Sequence, residues 1–399
     1  MKIETLKIKN FKTYRNAEMH AIPNFCVLVG ANGTGKSTLF NVFNFLKDCL
    51  TLNVTRALMF RGGYKEVLSR GCDPQKDDIE IEIQYRMDLT GKERLVTYLL
   101  QIGLNTEQKV CVKREILRYK RGSYGSPYHF LDFQYGKGYA VTNEENFDKK
   151  DEDLTKEYQN IETPDTLALK GLGQFQKFKA ANAFRQVIEH WYISDFHITS
   201  ARGSKDSNGY YDHLSESGDN LQLAAQALKE KYPELFKKVL DKMKRRVPGI
   251  GDIDSEPTPD GRLVLKFQDD GFKDPFIDRY VSDGTIKMFA YLILLNDPSP
   301  FPFLCVEEPE NQLYPKLLPE LAEEFRDYAN RGGQVFVSTH SPDFLNAVRT
   351  DELFWLEKEN GQTSIRRACD NPQIVDYMRN GDQLGYLWSQ GYFGGVDPK

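Results

Sequence analysis

The chain has 399 residues, 40% of them hydrophobic and 28% charged, and a formal net charge of -5. Such a length can bury a large core in one large or two ordinary domains, and the balance of apolar and charged residues is that of a globular protein. A mildly acidic sum carries no global signal for nucleic-acid binding, and no apolar run reaches membrane-spanning length.

The opening MKIETLKIKNF lacks the apolar core of a signal peptide. The six cysteines (Cys26, Cys49, Cys72, Cys111, Cys305 and Cys369) are scattered, with no CxxC and no His/Cys cluster. Several sit in apolar, strand-like runs, so the expectation is a cytoplasmic protein with reduced core thiols.

The first chemical signal is VLVGANGTGKSTLF, residues 27 to 40, where Gly30, Gly35, Lys36 and Ser37 match GxxxxGK[ST]. NFCVLVG before it reads as a short buried strand, and STLFNVFNFLKDCL after it has apolar residues at helical spacing. Strand, glycine loop and helix together predict a phosphate-binding loop. The glycines let several backbone N–H groups converge on phosphate oxygens, and the new helix adds its positive end. Lys36 is expected to bridge the β- and γ-phosphates, Ser37 to ligate magnesium, and Thr38 to support the loop from behind.

The long middle of the chain carries less chemistry. DDIEIEIQYRMD, RLVTYLLQIGLN, KVCVKREILRYKRG and YHFLDFQYGKGYAVT alternate and are rich in β-branched and aromatic residues, which predicts an antiparallel meander. TNEENFDKKDEDLTKEY reads as an exposed acid-rich loop, and the pattern from about 166 to 247 turns helical, broken at Pro233. Lys229, Lys231, Lys237, Lys238, Lys242, Lys244, Arg245 and Arg246 concentrate cations in one stretch. Two readings stay open for them, a phosphate-backbone footprint for DNA or a solvated helix face with salt-bridge partners. RGSYGSPYHF, with Arg118, Lys120 and Arg121, is a weaker basic-aromatic stretch, HITSARGS around Arg202 is a candidate for the nucleotide or dimer surface without an assigned role, and GRLVLKFQDDGF suggests a further strand pair.

Three signals follow near the end. DRYVSDGTIKMFAYLILL places Ser282 as an N-cap before a strongly apolar helix. PFPFLCVEEPENQLYP reads as a buried strand from Phe303 to Val306 that releases Glu307 and Glu308. One carboxylate at such an edge can hold a metal while its neighbour polarises water. Adjacent strand residues point oppositely, so Glu308 must stand where the strand is already turning, and Pro309 favours that. GGQVFVSTHSPDFLNAV repeats the design, with a buried strand from Gln334 to Val337 and His340 at its C-terminal edge, where open α/β sheets bind ligands.

In this order the segments resemble the ATPase heads of the SMC and RecF type, within the ATP-binding-cassette class. IETLKIKNFKTYRN is similar to their first strand, GANGTGKST to their phosphate loop, SDGT to their signature turn, VEEPENQLYP to their second acidic motif and dimer loop, and VSTHSPDFL to their histidine switch. The resemblance implies an α/β P-loop NTPase fold of ABC-ATPase head type, a mixed sheet with an antiparallel β-subdomain and an inserted helical lobe. The expected segments are an ATPase lobe over 1–160, a helical lobe over 161–280, and the signature helix, acidic motif and histidine switch over 281–399.

It further implies ATP and magnesium as ligands. Gly30, Asn32, Gly33, Gly35, Lys36, Ser37 and Thr38 would form the nucleotide loop, with Ser37 and Glu307 on the metal and Glu308 and His340 catalytic. Ser282 and Gly284 would reach the γ-phosphate held by a second copy, making a homodimer around sandwiched ATP. Two departures stand out: Glu307 replaces the usual Asp, and Asp283 replaces the first glycine of the signature. Gln84 or the loop over 61–71 is expected to supply the Q-loop. No heptad series of SMC-arm length is present, and no nuclease constellation follows the ATPase core. The expected roles are therefore DNA-associated action or control of a separately encoded effector, a nuclease or toxin, in phage defence or DNA repair. The rival is an ATP-switched protein-binding module without direct DNA contact; no membrane partner is expected.

Overall fold

The computed structural model describes residues 2–89, 91–119, 127–142, 153–206 and 213–394. Contacts group the chain into two compact units, one of Met1–Trp191, Arg349–Asp382 and Leu387–Lys399, the other of Tyr192–Val348 and Gln383–Tyr386.

The first unit is dominated by an eight-stranded sheet in which Lys2–Phe11 and Tyr14–Met19 join the predicted meander. The strand pairings described within this sheet are all antiparallel. Alternation explains it: Ile79, Ile81, Ile83, Tyr85 and Met87 of strand Ile79–Leu89 are buried, while the residues between them stay partly exposed. The buried stripe is covered by helix Lys179–Glu189, whose Phe184 stacks on Tyr85 at 4.3 Å and tilts against Tyr98 at 4.9 Å. Buried Glu115 fixes the neighbouring helix Ala168–Leu172 by accepting the Leu169 N–H at 3.0 Å and the Ala168 N–H at 2.5 Å. Burial raises its carboxyl to about 7.

In the same unit the fully buried strand Phe25–Val29 lies parallel to Leu353–Glu359, with Trp355 opposite Val29. Leu353–Glu359 in turn pairs antiparallel with Gln362–Arg367. The pairing of Leu353–Glu359 with Phe25–Val29 joins Arg349–Asp382 to the N-terminal part of the chain.

The second unit contains the parallel pair Phe303–Glu307 and Gln334–Thr339, connected through helix Leu318–Asn330. A separate antiparallel sheet holds Lys205–Asp206, Arg262–Asp269, Ile250–Pro257 and Phe276–Ile277. The expected helical stretch over 166–247 is therefore interrupted by strands Trp191–Ile193 and Lys205–Asp206, the first an aromatic and β-branched triplet suited to extended backbone. Pro233 separates helices Leu221–Lys231 and Pro233–Arg246 by standing at the first turn of the second. The acid-rich stretch over 142–158, expected as loop, gives its last residues to strand Lys156–Asn160; 143–152 and the basic run 120–126 lie outside the described residues.

Four of the six cysteines are buried and all six are free thiols. Among the described residues no helix is long and apolar enough to cross a membrane, and no cluster of His, Cys, Asp and Glu forms a metal site.

Candidate functional site: a phosphate loop and a carboxylate turn

In the first unit the chain leaves strand Phe25–Val29 at Gly30 and enters helix Lys36–Thr51 from Gly35. A side chain at Gly30 would meet Thr34 Oγ1 at 2.5 Å and the Leu356 carbonyl at 2.9 Å, so only glycine passes here. Gly33 and Gly35 have φ of 78° and 109°, the left-handed backbone that turns the loop. Lys36 is buried, and its Nζ donates to the loop carbonyls of Gly30 at 2.7 Å and Ala31 at 3.2 Å. Asn32 and Ser37 are exposed and Thr38 is half-buried.

Support from behind comes from residues the motif does not include. Tyr14 donates its hydroxyl to the Gly35 carbonyl at 2.8 Å, and Thr363 donates to the Thr34 carbonyl at 2.7 Å. Burial pushes the Tyr14 phenol far above its usual range, so it stays a donor. A glycine-built curl, an ammonium folded onto it and an exposed serine hydroxyl at the helix start fit a triphosphate with its magnesium.

In the second unit strand Phe303–Glu307 ends with Glu307 exposed and paired in register with Ser338. Glu308 then turns with φ +42°, its N–H donating to the Ser338 carbonyl at 2.9 Å. The reversal expected before Pro309 is thus a left-handed residue, a conformation that costs energy for a non-glycine and marks sites worth testing. Asn311 Nδ2 donates to Glu308 Oε2 at 3.0 Å, and His340 Nε2 lies 3.2 Å from Glu308 Oε1. Carboxylate and imidazole, expected from separate strands, do meet.

Two further residues hold this turn. Glu310 Oε1 accepts the Thr339 hydroxyl at 2.8 Å and the His340 N–H at 2.7 Å, tying the acidic turn to the histidine strand. Lys287, on helix Asp283–Leu295, donates to the Asn311 carbonyl at 2.8 Å and reaches the Glu308 carbonyl at 3.5 Å. Burial lowers its ammonium to about 8, against the opposing pull of Glu310 and Glu308. Neither was foreseen. Glu310 sits inside the acidic run, and Lys287 interrupts an otherwise apolar helix, which is the one signal that marked it.

Ser282 caps that helix, its Oγ accepting the Thr285 N–H at 3.2 Å. A side chain at Gly284 would strike the Gln312 carbonyl at 2.5 Å, so the signature glycine is also demanded by packing against the acidic turn. Arg202 stands over the same loop. Its guanidinium donates to the Val281 carbonyl at 2.8 Å, to the Asp278 carbonyl and to the Asp283 carboxylate. Gln84, a suggested Q-loop residue, is half-buried in strand Ile79–Leu89 opposite Thr5 and Thr97.

At least three of the eight cations of the basic stretch are held in ion pairs. Lys229 pairs with Asp254 at 2.6 Å, buried Lys242 with Glu324 at 2.5 Å, and Arg246 with Glu320 at 2.9 Å and Glu324 at 2.7 Å. Lys237, Lys238, Lys244 and Arg245 remain exposed.

Over 99 residues the chain is 36% identical to the DNA replication and repair protein RecF of two Porphyromonas gingivalis strains, a match covering 24% of this chain and about a quarter of those relatives. The crystal structure of an SMC head bound to the C-winged helix domain of ScpA superposes with a TM-score of 0.57 at 13% identity, covering 92% of this chain and 98% of that one. An SMC head with an extended coiled coil, bound to the C-terminal domain of ScpA derived from Pyrococcus furiosus, gives 0.50 at 13% identity, over 94% and 99%. At such identities the likeness is one of fold, and the fold is that of an SMC-type ATPase head. Residues 25–346 match the family described as "AAA domain, putative AbiEii toxin, Type IV TA system", and the chain belongs to that family, with SMC/RecF-like ABC-type ATPase architecture.

Proposed function

We propose that this chain binds and hydrolyses Mg·ATP and uses the nucleotide to control association of two copies. The observation that carries the reading is the strained Glu308 turn. A carboxylate on left-handed backbone, flanked by Asn311 and His340, is held on two sides by Glu310 and Lys287. Such an arrangement suits a base that orients water.

In the proposed reaction the loop from Gly30 to Ser37 binds the triphosphate through its N–H groups and Lys36. Ser37 and Glu307 would hold magnesium, which when bound screens phosphate charge. Glu308 accepts the proton of the attacking water, and His340, 3.2 Å away, orients that carboxylate and senses the γ-phosphate. Ser282 and Gly284 of a second copy would add contacts available only with ATP, so loss of the γ-phosphate releases the pair. Glu308→Gln is expected to keep ATP affinity while lowering turnover about 10²–10³-fold. Steady turnover in that variant contradicts the role given to Glu308.

The controlled act is DNA-associated, or restraint of a separately encoded nuclease or toxin, in DNA repair or phage defence. The pairing of Lys229, Lys242 and Arg246 inside the unit favours the protein-binding reading, because paired cations release few counterions. Duplex DNA stimulation of ATPase, lost on neutralising exposed Lys237, Lys238 and Lys244, would instead place the duplex there. Lys242, buried on Glu324, drops out of that test.

A further inference from the structure

We infer that Arg202 is a positioning residue that keeps the signature loop usable, by neutralising the Asp283 carboxylate at the start of its helix. The inference rests on the dimerising reading above and names a residue from outside every motif. Asp283 opens helix Asp283–Leu295 directly after Ser282, so under that reading its carboxylate lies next to the residues proposed to meet the γ-phosphate of a second copy. A negative charge within a few ångströms of a triphosphate opposes association, whereas a balanced pair does not.

Arg202 is built for this task rather than being a loose surface cation. Its side chain is 20% exposed, against 51% for Asp283. The guanidinium spans three acceptors on one loop, the carbonyls of Asp278 and Val281 and the Asp283 carboxylate. The backbone that carries it is pinned on both sides. Gln222, fully buried, donates to the carbonyls of Ala201 at 2.8 Å and Gly203 at 2.7 Å. Asp278, also fully buried, accepts the Gly203 N–H at 3.0 Å and the Gln222 amide at 3.1 Å. An exposed ion pair contributes little, but a cation pre-set by buried neighbours loses little entropy in holding its partner. Arg202 and Asp283 therefore act as one unit of zero net charge, and the fork also holds the carbonyls of Asp278 and Val281.

The test is a double-mutant cycle in full-length Glu308→Gln protein with ATP and magnesium, read by sedimentation. Arg202→Met is expected to weaken ATP-dependent self-association at least about tenfold, leaving affinity for a fluorescent ATP analogue within about twofold. Adding Asp283→Gly to Arg202→Met is expected to restore association to within about threefold of Asp283→Gly alone. A combined variant as defective as Arg202→Met would mean that the guanidinium only braces carbonyls, and overturns the inference. So does undiminished association in Arg202→Met. Should that variant fail to fold, Arg202→Lys keeps the charge and is expected to associate; its failure to do so while folded overturns the inference too. A Glu308→Gln parent that never associates refutes the dimer reading itself, and the inference falls with it.

Discussion

The phosphate loop and the carboxylate turn solve similar problems in opposite ways. The loop presents backbone N–H groups, so the residues that would meet phosphate are local: Gly33 and Gly35 on left-handed backbone, Gly30 in a steric pinch and Lys36 within one turn, while the braces Tyr14 and Thr363 come from outside the motif. The turn presents side chains, and each must be held by something remote. Glu308 is set by Asn311 and His340, His340 by Glu310, and the turn itself by Lys287, 24 residues before Asn311 on a preceding helix. The groups that would face phosphate are one run of sequence, whereas the groups around the Glu308 carboxylate come from three segments.

That contrast can be broken at several points, beginning with the largest effect. Gly30→Ala forces a methyl into contact with Thr34 and the Leu356 carbonyl. Overpacking of this kind costs about 1–3 kcal/mol, so ATP affinity should fall about 10- to 100-fold by titration calorimetry, with turnover at saturation far less affected. The turn should respond in the reverse sense. Glu310→Ala strips acceptors from the Thr339 hydroxyl and His340 N–H, expected to lower kcat about tenfold at little change in KM and to cost about 1–3 kcal/mol in urea unfolding.

Lys287→Met should lower kcat several-fold and remove a pH signature. Its folded pKa, about 8, lies below the ordinary 10.5, so between those values the unfolded chain binds more protons and stability rises with pH. The variant, compared with wild type by denaturation from pH 7.5 to 10.5, should lack that part of the slope; identical slopes would show that Lys287 is not held in a desolvated site. The smallest effect sharpens the contrast from the other side. Thr363→Val removes the hydroxyl on the Thr34 carbonyl and should weaken ATP binding only about two- to fivefold, because Tyr14 still holds Gly35. A loss as large as that of Gly30→Ala would mean that the loop is no more local than the turn.

The same contrast explains what could be read in advance. The glycine spacing, Lys36 and Ser37 stand together in sequence, and the isoleucine alternation of 79–87 predicts its own sheet face. Ser282 as a cap and Glu308 at a reversal also follow from local rules. Arg202, Tyr14, Thr363 and Glu310 do not, because an arginine, tyrosine, threonine or glutamate gains its meaning from partners that only the fold supplies. Thr363 acts on a loop 329 residues away. Strand Lys156–Asn160 was equally hidden: its residues are nearly all exposed, so no apolar alternation marks it. The grouping of Arg349–Asp382 with the N-terminal part likewise comes from contacts that no motif announces, among them the parallel pairing with Phe25–Val29 and the Thr363 bonds to Thr13 and Thr34.

Isothermal titration of ATP into the purified chain, with and without magnesium and with Lys36→Ala alongside, bears most directly on the account. Magnesium-dependent affinity that falls by at least about tenfold in Lys36→Ala is the predicted result. No binding by the wild-type chain, or equal binding by both proteins, would contradict it.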